Sequence, residues 1–219
     1  MNKTYLLLPI IFLLFSMSNV KKKRVVFFGD SITQMGVNKG GYIDRMNDTI
    51  TARGDRDRYE LIGAGIGGNK VYDLYLRMED DVLAKKPDVV VIYIGINDVW
   101  HKTSGTGTDL DKYERFYVAI IKKLQAKNIA VILSTPTVIG EKHDGSNPQD
   151  ADLDKYSDVV RKLSKEFNCK LVDLRKIFIN YLKENNPQNL ESGILTTDRV
   201  HLNDKGNSIL ADEMLRALN

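Results

Sequence analysis

Asp88-Val89-Val90-Val91-Ile92-Tyr93-Ile94 is followed at once by Gly95-Ile96-Asn97-Asp98. From Val89 onward the first segment is apolar at every position, so it lacks the in-out alternation of a strand with one wet face. That pattern belongs to a strand buried on both sides, at the centre of a parallel sheet with helices above and below. The abrupt change to Gly95 and then to two short polar side chains marks the strand's carboxyl end.

Working outward from it, β-branched runs at residues 24–28, 59–62, 129–133 and 169–172 join 88–94 as five predicted strands. Between and after them, residues 42–52, 71–84, 110–127, 152–167, 174–184 and 205–218 carry apolar residues three and four apart and are predicted helices. Strands that alternate with helices imply a three-layer α/β/α sandwich around a central five-stranded parallel sheet. Ligands of such sheets bind at the carboxyl ends of the strands. Here these ends carry Gly29-Asp30-Ser31-Ile32-Thr33, Gly63-Ala64-Gly65-Ile66-Gly67-Gly68-Asn69 and Gly95-Ile96-Asn97-Asp98, all on one edge. Residues 101–109 and 137–150 are expected to form long polar loops on the same edge.

The chain has 219 residues, 42% hydrophobic and 28% charged, with a net charge of +3. The basic residues are interspersed with acidic ones, which argues against nucleic acid as a partner. Lys3 and an unbroken apolar run from Tyr5 to Phe15 precede Ser16-Met17-Ser18. That is the grammar of a signal peptide over residues 1–18, leaving 19–219 as one domain; the run falls short of the about 20 residues that span a bilayer. Secretion or periplasmic location is expected, with no stable membrane insertion after cleavage. Lys21-Lys22-Lys23-Arg24 argues the other way, because positive charge behind an apolar stretch holds that end inside. Cys169 is the single cysteine; it allows no internal disulfide, leaves no lipoprotein cysteine at the cut, and reads as a small buried hydrophobe.

Serine catalysis needs a hydroxyl at a tight turn, a histidine to take its proton, a carboxylate to orient the histidine, and donors for the oxyanion. Among three histidines, His101 and His143 fall in the polar loops, whereas His201 follows Asp198 by three residues. Such a turn can set the carboxylate against Nδ1 and leave Nε2 facing outward. Ser31 lies between a strand and a helix, where a plain helix cap is an equal reading.

Together these blocks resemble the SGNH (GDSL-type) hydrolases: Gly29-Asp30-Ser31-Ile32-Thr33, Gly65 in its glycine-rich turn, Gly95-Ile96-Asn97-Asp98 and Asp198-Arg199-Val200-His201-Leu202, in the family's order from Arg24 to the end. The resemblance implies the flavodoxin-like fold of that family and a carboxylic ester hydrolase. It implies Ser31 as nucleophile, His201 as general base and acid, Asp198 as its orienter, and an oxyanion hole from the N–H groups of Ser31 and Gly65 with the Asn97 amide. No cofactor or metal is required by that chemistry, and the histidines show no His-x-x-x-His ligand spacing. Gly65 has no side chain to obstruct an oxyanion, and Asn97 offers an uncharged donor. The chain departs from the family at Gly63, where an asparagine is common.

Gly63-x-Gly65-x-x-Gly68 also matches the dinucleotide fingerprint, yet Asp88 opens the next strand where an acidic residue should close it. An oxidoreductase would also leave Ser31, Asn97 and the Asp198/His201 pair without a role, and a non-catalytic binding module would not retain them all. For substrate, the polar loops around residues 101–107, 141–147 and 184–189 suit a hydroxylated molecule. Trp100 and Tyr42 are expected to offer aromatic faces, and Asp30 and Trp100 are the candidate substrate contacts. The expected reaction is removal of short acyl groups, acetyl above all, from a small-molecule or glycan ester. A general short-chain esterase or a lysophospholipase-like enzyme is the alternative.

Overall fold

β1 (Lys23–Gly29), β2 (Tyr59–Gly65), β3 (Val89–Tyr93), β4 (Ala130–Ser134) and β5 (Lys170–Val172) form one sheet in the order β2-β1-β3-β4-β5, and every pairing is parallel. These observations come from a computed structural model, which describes residues 21–218; the expected leader at 1–18 lies outside them. β3 is buried at all five positions, as its sequence requires of a central strand, and β1 is buried from Val25 onward. Among the described residues, eight α-helices surround the sheet: α1 (Ser31–Gly36), α2 (Tyr42–Ala52), α3 (Val71–Asp81), α4 (Ile96–Trp100), α5 (Leu110–Gln125), α6 (Asp150–Glu166), α7 (Leu174–Asn185) and α8 (Asp204–Leu218). None of the helices among the described residues is long and apolar enough to cross a membrane.

The chain leaves β1 toward the β2 edge, then crosses back through α3 to β3 on the other side of β1. Right-handed crossovers put the connections of these two excursions on opposite faces. Accordingly α3, α5 and α6 pack together on one face, while α2 packs against α8 on the other. The reversal of direction between β1 and β3 is the switch point of an open α/β sheet, where the loops diverge and leave a crevice. Ser31 opens α1 directly beyond β1, and Asn97 lies in α4 directly beyond β3.

Two expectations change. β2 runs on to Gly65, three residues past the predicted end, because Gly63, Ala64 and Gly65 continue the ladder against Phe27, Phe28 and Gly29. The expected polar loop at 137–150 is not uniformly wet: Val138, Ile139, Thr137 and Glu141 are fully or almost fully buried. Cys169 is buried beside β5 as expected, and its burial raises the thiol pKa, which makes it a poor nucleophile.

Candidate active site

Ser31 is not the cap of α1. That task falls to Asp30, whose carboxylate accepts from Ile32 N at 3.0 Å. The Ser31 hydroxyl instead lies 3.0 Å from His201 Nε2, and His201 Nδ1 lies 2.7 Å from Asp198 Oδ2. The three residues named from sequence thus form a continuous line across 170 positions of chain.

Local geometry makes that line. Asp198 uses its second oxygen, Oδ1, to accept from the backbone N–H groups of Val200 and His201 at 3.1 and 2.8 Å, so the carboxylate closes its own turn and fixes the histidine backbone. Thr197 N donates to His201 O at 2.8 Å and completes the loop. Partial burial works against the Asp198 charge, but the bonds from His201 and Val200 outweigh it and hold the carboxyl below its usual range. An anionic Asp198 keeps a proton on Nδ1 and leaves Nε2 as the acceptor facing Ser31. His143 is engaged elsewhere, with Nε2 2.8 Å from Asn186 O.

The candidate oxyanion donors can be sorted by what their N–H groups already do. Ser31 N lies in the first turn of α1, where no intrahelical acceptor exists. Asn97 is 3% exposed, and its Nδ2 donates one hydrogen to Asn69 O at 3.0 Å, leaving the other available. In the turn after β2, the N–H groups of Ile66, Gly67 and Asn69 are taken by Gly29 O, Gln34 Oε1 and Ile66 O. Gly65 does not stand in the open: a Cβ there would meet Gln34 N, Thr33 C and Asp30 O at 2.1 to 2.6 Å. Its glycine is needed for close packing of β2 under α1. Gly68 has φ +75, open space beside it, and an N–H with no partner among the described residues. Of the two glycines, Gly68, at the left-handed third position of the turn, is the one whose N–H is open as a candidate donor.

Other expectations are corrected by burial. Tyr42 is fully buried with its hydroxyl on Thr33 Oγ1, so it presents no face to a sugar. Asp30 is 2% exposed and occupied in capping, which removes it as a substrate contact. Trp100 is half-buried, packed on the core and against the His101 ring. Glu141, expected in a polar loop open to substrate, is fully buried. Its carboxylate accepts from Ile194 N, Leu195 N, Thr196 N and the Thr196 hydroxyl, and so anchors the segment that leads into Asp198. Successive backbone N–H groups around one anion form a nest.

Burial also raises Asp30, up to about 7, with nearby Asp98 adding to the effect against the Ile32 N–H bond. A carboxyl whose ordinary value is 3.8 then binds a proton in the folded state through a pH window where the unfolded chain has lost it. Folded-state stability from this group is present at acid pH and declines as pH rises from about 4 to about 7. Asp30→Asn keeps the cap acceptor and removes the titration. The stability of wild type relative to Asp30→Asn, measured by urea unfolding, is expected to fall between pH 4.5 and 7.5. An unchanged difference across that range rejects the raised pKa.

A cavity of about 230 Å³ lined by Lys23, Gln125, Ile129, Cys169 and Leu218 lies among the strand amino ends, away from this constellation. The chemistry, not the hollow, marks the site.

Comparison with known proteins agrees with the geometry. The model of the GDSL-like lipase/acylhydrolase family matches residues 27–209. The acetylxylan esterase of Geobacillus stearothermophilus is 32% identical over 213 residues, which are 90% of this chain and 94% of that protein. The crystal structure of Axe2, an acetylxylan esterase from Geobacillus stearothermophilus, has a TM-score of 0.80 at 30% identity, covering 92% of this chain and 96% of that one. It has also been solved as catalytic mutants with a serine, an aspartate or a histidine changed to alanine. The crystal structure of an acetyl xylan esterase, AlAXEase, has a TM-score of 0.89 and 62% identity, covering 90% of this chain and all of that one. The uncharacterized lipoprotein YqeF of Bacillus subtilis is 30% identical, with 85% of each chain covered.

Proposed function

The chain belongs to the GDSL-like lipase/acylhydrolase family and is a carboxylic ester hydrolase, and from that premise we propose that it removes acetyl groups from xylan-type carbohydrate through Ser31, His201 and Asp198. The observation that carries the reading is the line from Ser31 Oγ through His201 to Asp198, set on a chain 62% identical to an acetyl xylan esterase along that protein's whole length.

In this reading Ser31 Oγ attacks the acetyl carbonyl carbon while His201 Nε2 takes the hydroxyl proton. Negative charge that develops on the carbonyl oxygen is met by the N–H groups of Ser31 and Gly68 and by Asn97 Nδ2. The tetrahedral adduct collapses, His201 returns the proton to the departing sugar oxygen, and acetyl-Ser31 remains. Water then attacks the acyl group, again giving its proton to His201, which passes it to Ser31 Oγ as acetate leaves. Asp198 stabilises the imidazolium at each stage without taking the proton itself. The leader grammar at residues 1–18 and the similarity to a protein named as a lipoprotein favour action outside the cytoplasm, where a polymeric glycan is met.

A p-nitrophenyl ester series from acetate to laurate, run beside acetate release from acetylated xylan, pectin and peptidoglycan, tests the substrate. The shortest ester and xylan are expected to be preferred. Preference for octanoate or longer, with no acetate from any glycan, would leave a serine esterase standing but reject the carbohydrate substrate in favour of a lipid.

A further inference from the structure

Arg77 projects from α3 beneath the carboxyl ends of β1 and β2, and its side chain is only 14% exposed. Nη2 donates to Gly29 O at 2.8 Å and to Ala64 O at 3.0 Å, and Nε donates to Asn69 Oδ1 at 2.7 Å. Nη1 pairs with Asp81 at 2.7 Å, and the guanidinium lies 4.6 Å from the Phe28 ring centroid.

These acceptors share a property. Gly29 ends β1 two residues before Ser31, Ala64 stands near the end of β2 before the turn that holds Gly68, and Asn69 offers its backbone oxygen to Asn97 Nδ2. Two of the donors, the N–H groups of Ser31 and Gly68, therefore lie on the two segments that Arg77 bonds, and the third, Asn97 Nδ2, is held by the backbone oxygen of Asn69 in the second of them. We propose that Arg77 is a positioning residue that sets the spacing of the oxyanion donors, an inference that rests on the serine-esterase reading above.

Simple stapling of the two strands does not account for it, since β1 and β2 already pair over seven residues from Lys23↔Tyr59 to Gly29↔Gly65. Further bonds at the ladder's end add little to pairing but fix where the chain departs from it. Oxyanion donors work only within a few tenths of an ångström of the developing charge, so leverage at the departure point is leverage on rate. Lysine cannot stand in: an ammonium has three donors and lacks the guanidinium's fork to reach all four acceptors at once.

Arg77→Lys and Arg77→Met, assayed with p-nitrophenyl acetate and normalised to the folded fraction from thermal unfolding, test this. Both are expected to lower kcat about 10- to 100-fold while KM stays within about twofold, because the donors act on charge that exists only in the transition state. Arg161→Lys, which alters a comparable ion pair with Asp173 between α6 and the segment before α7, serves as the control and keeps wild-type kcat. Unchanged kcat per folded molecule in both Arg77 variants, a loss confined to KM, or an equal loss in Arg161→Lys overturns the assignment. A wild type that hydrolyses no acetyl ester strikes down the esterase reading and the inference together, whereas an active wild type with unaffected variants overturns Arg77 alone.

Discussion

Ser31→Ala is expected to lower kcat for acetyl ester hydrolysis by about 10⁴- to 10⁶-fold, the range seen when a triad nucleophile is removed. The loss follows from covalent chemistry: without Oγ there is no acyl-enzyme, and His201 can at best activate a water that nothing positions. The fold should survive, because the Ser31 side chain makes its one hydrogen bond to His201, while Asp30 retains the cap on Ile32 N. A helix-capping serine would give the opposite pattern, a drop in stability of about 1 kcal/mol with activity largely kept. Measured together, kcat and the unfolding midpoint separate the two roles. Wild-type rates in Ser31→Ala would remove the nucleophile from the proposal.

Asn97→Ala ranks second, with kcat expected to fall about 10²- to 10³-fold and KM nearly unchanged, since one oxyanion donor is typically worth that much in rate. Burial sharpens the effect, because Asn97 is 3% exposed and water cannot readily replace its amide. Loss of the amide also strands Asn69 O, an unpaired carbonyl that costs about 1 to 3 kcal/mol of stability, so rates must be taken per folded molecule. Asn97→Asp gives an independent check. It conserves shape but turns a donor into an acceptor that faces the developing oxyanion, and it should be at least as slow as the alanine variant. A change confined to KM in both variants would make Asn97 a binding group for the ground state.

Much of this was legible in the sequence because its signals are local. The uniform apolarity of Val89 to Ile94 is a statement about both faces of a strand, and the sheet order places it centrally as that demands. Asp198 and His201 are three residues apart, so their contact is a property of one turn. What escaped depends on partners far along the chain. Glu141 reads as a loop residue because its type is usually wet, yet it meets Thr196 across 55 positions and is fully buried. The unbroken apolar neighbours Val138 and Ile139 were the available hint. Tyr42 and Asp30 escaped for the same reason: side-chain type states an average exposure, whereas packing under α1 states the actual one. Gly65 and Gly68 differ only in what surrounds them, and a run of glycines cannot distinguish the one that admits a helix from the one that frees an N–H. Arg77 falls inside a predicted helix, and nothing within its own turn names Gly29, Ala64 or Asn69 as its acceptors.

The 170 positions between Ser31 and His201 also order events in time. A polypeptide is made from its amino end, so on the proposed mechanism Ser31 and the strand beneath it exist long before His201 does. Until residue 201 has emerged and the loop pinned by Glu141 has closed, the chain carries a serine with no proton acceptor. α8, which follows directly and meets α2 through the Arg45–Asp204 pair, must then dock to hold that loop in place. On the proposed mechanism a chain that ends before His201 carries out no acyl transfer, which begins only once His201 faces Ser31.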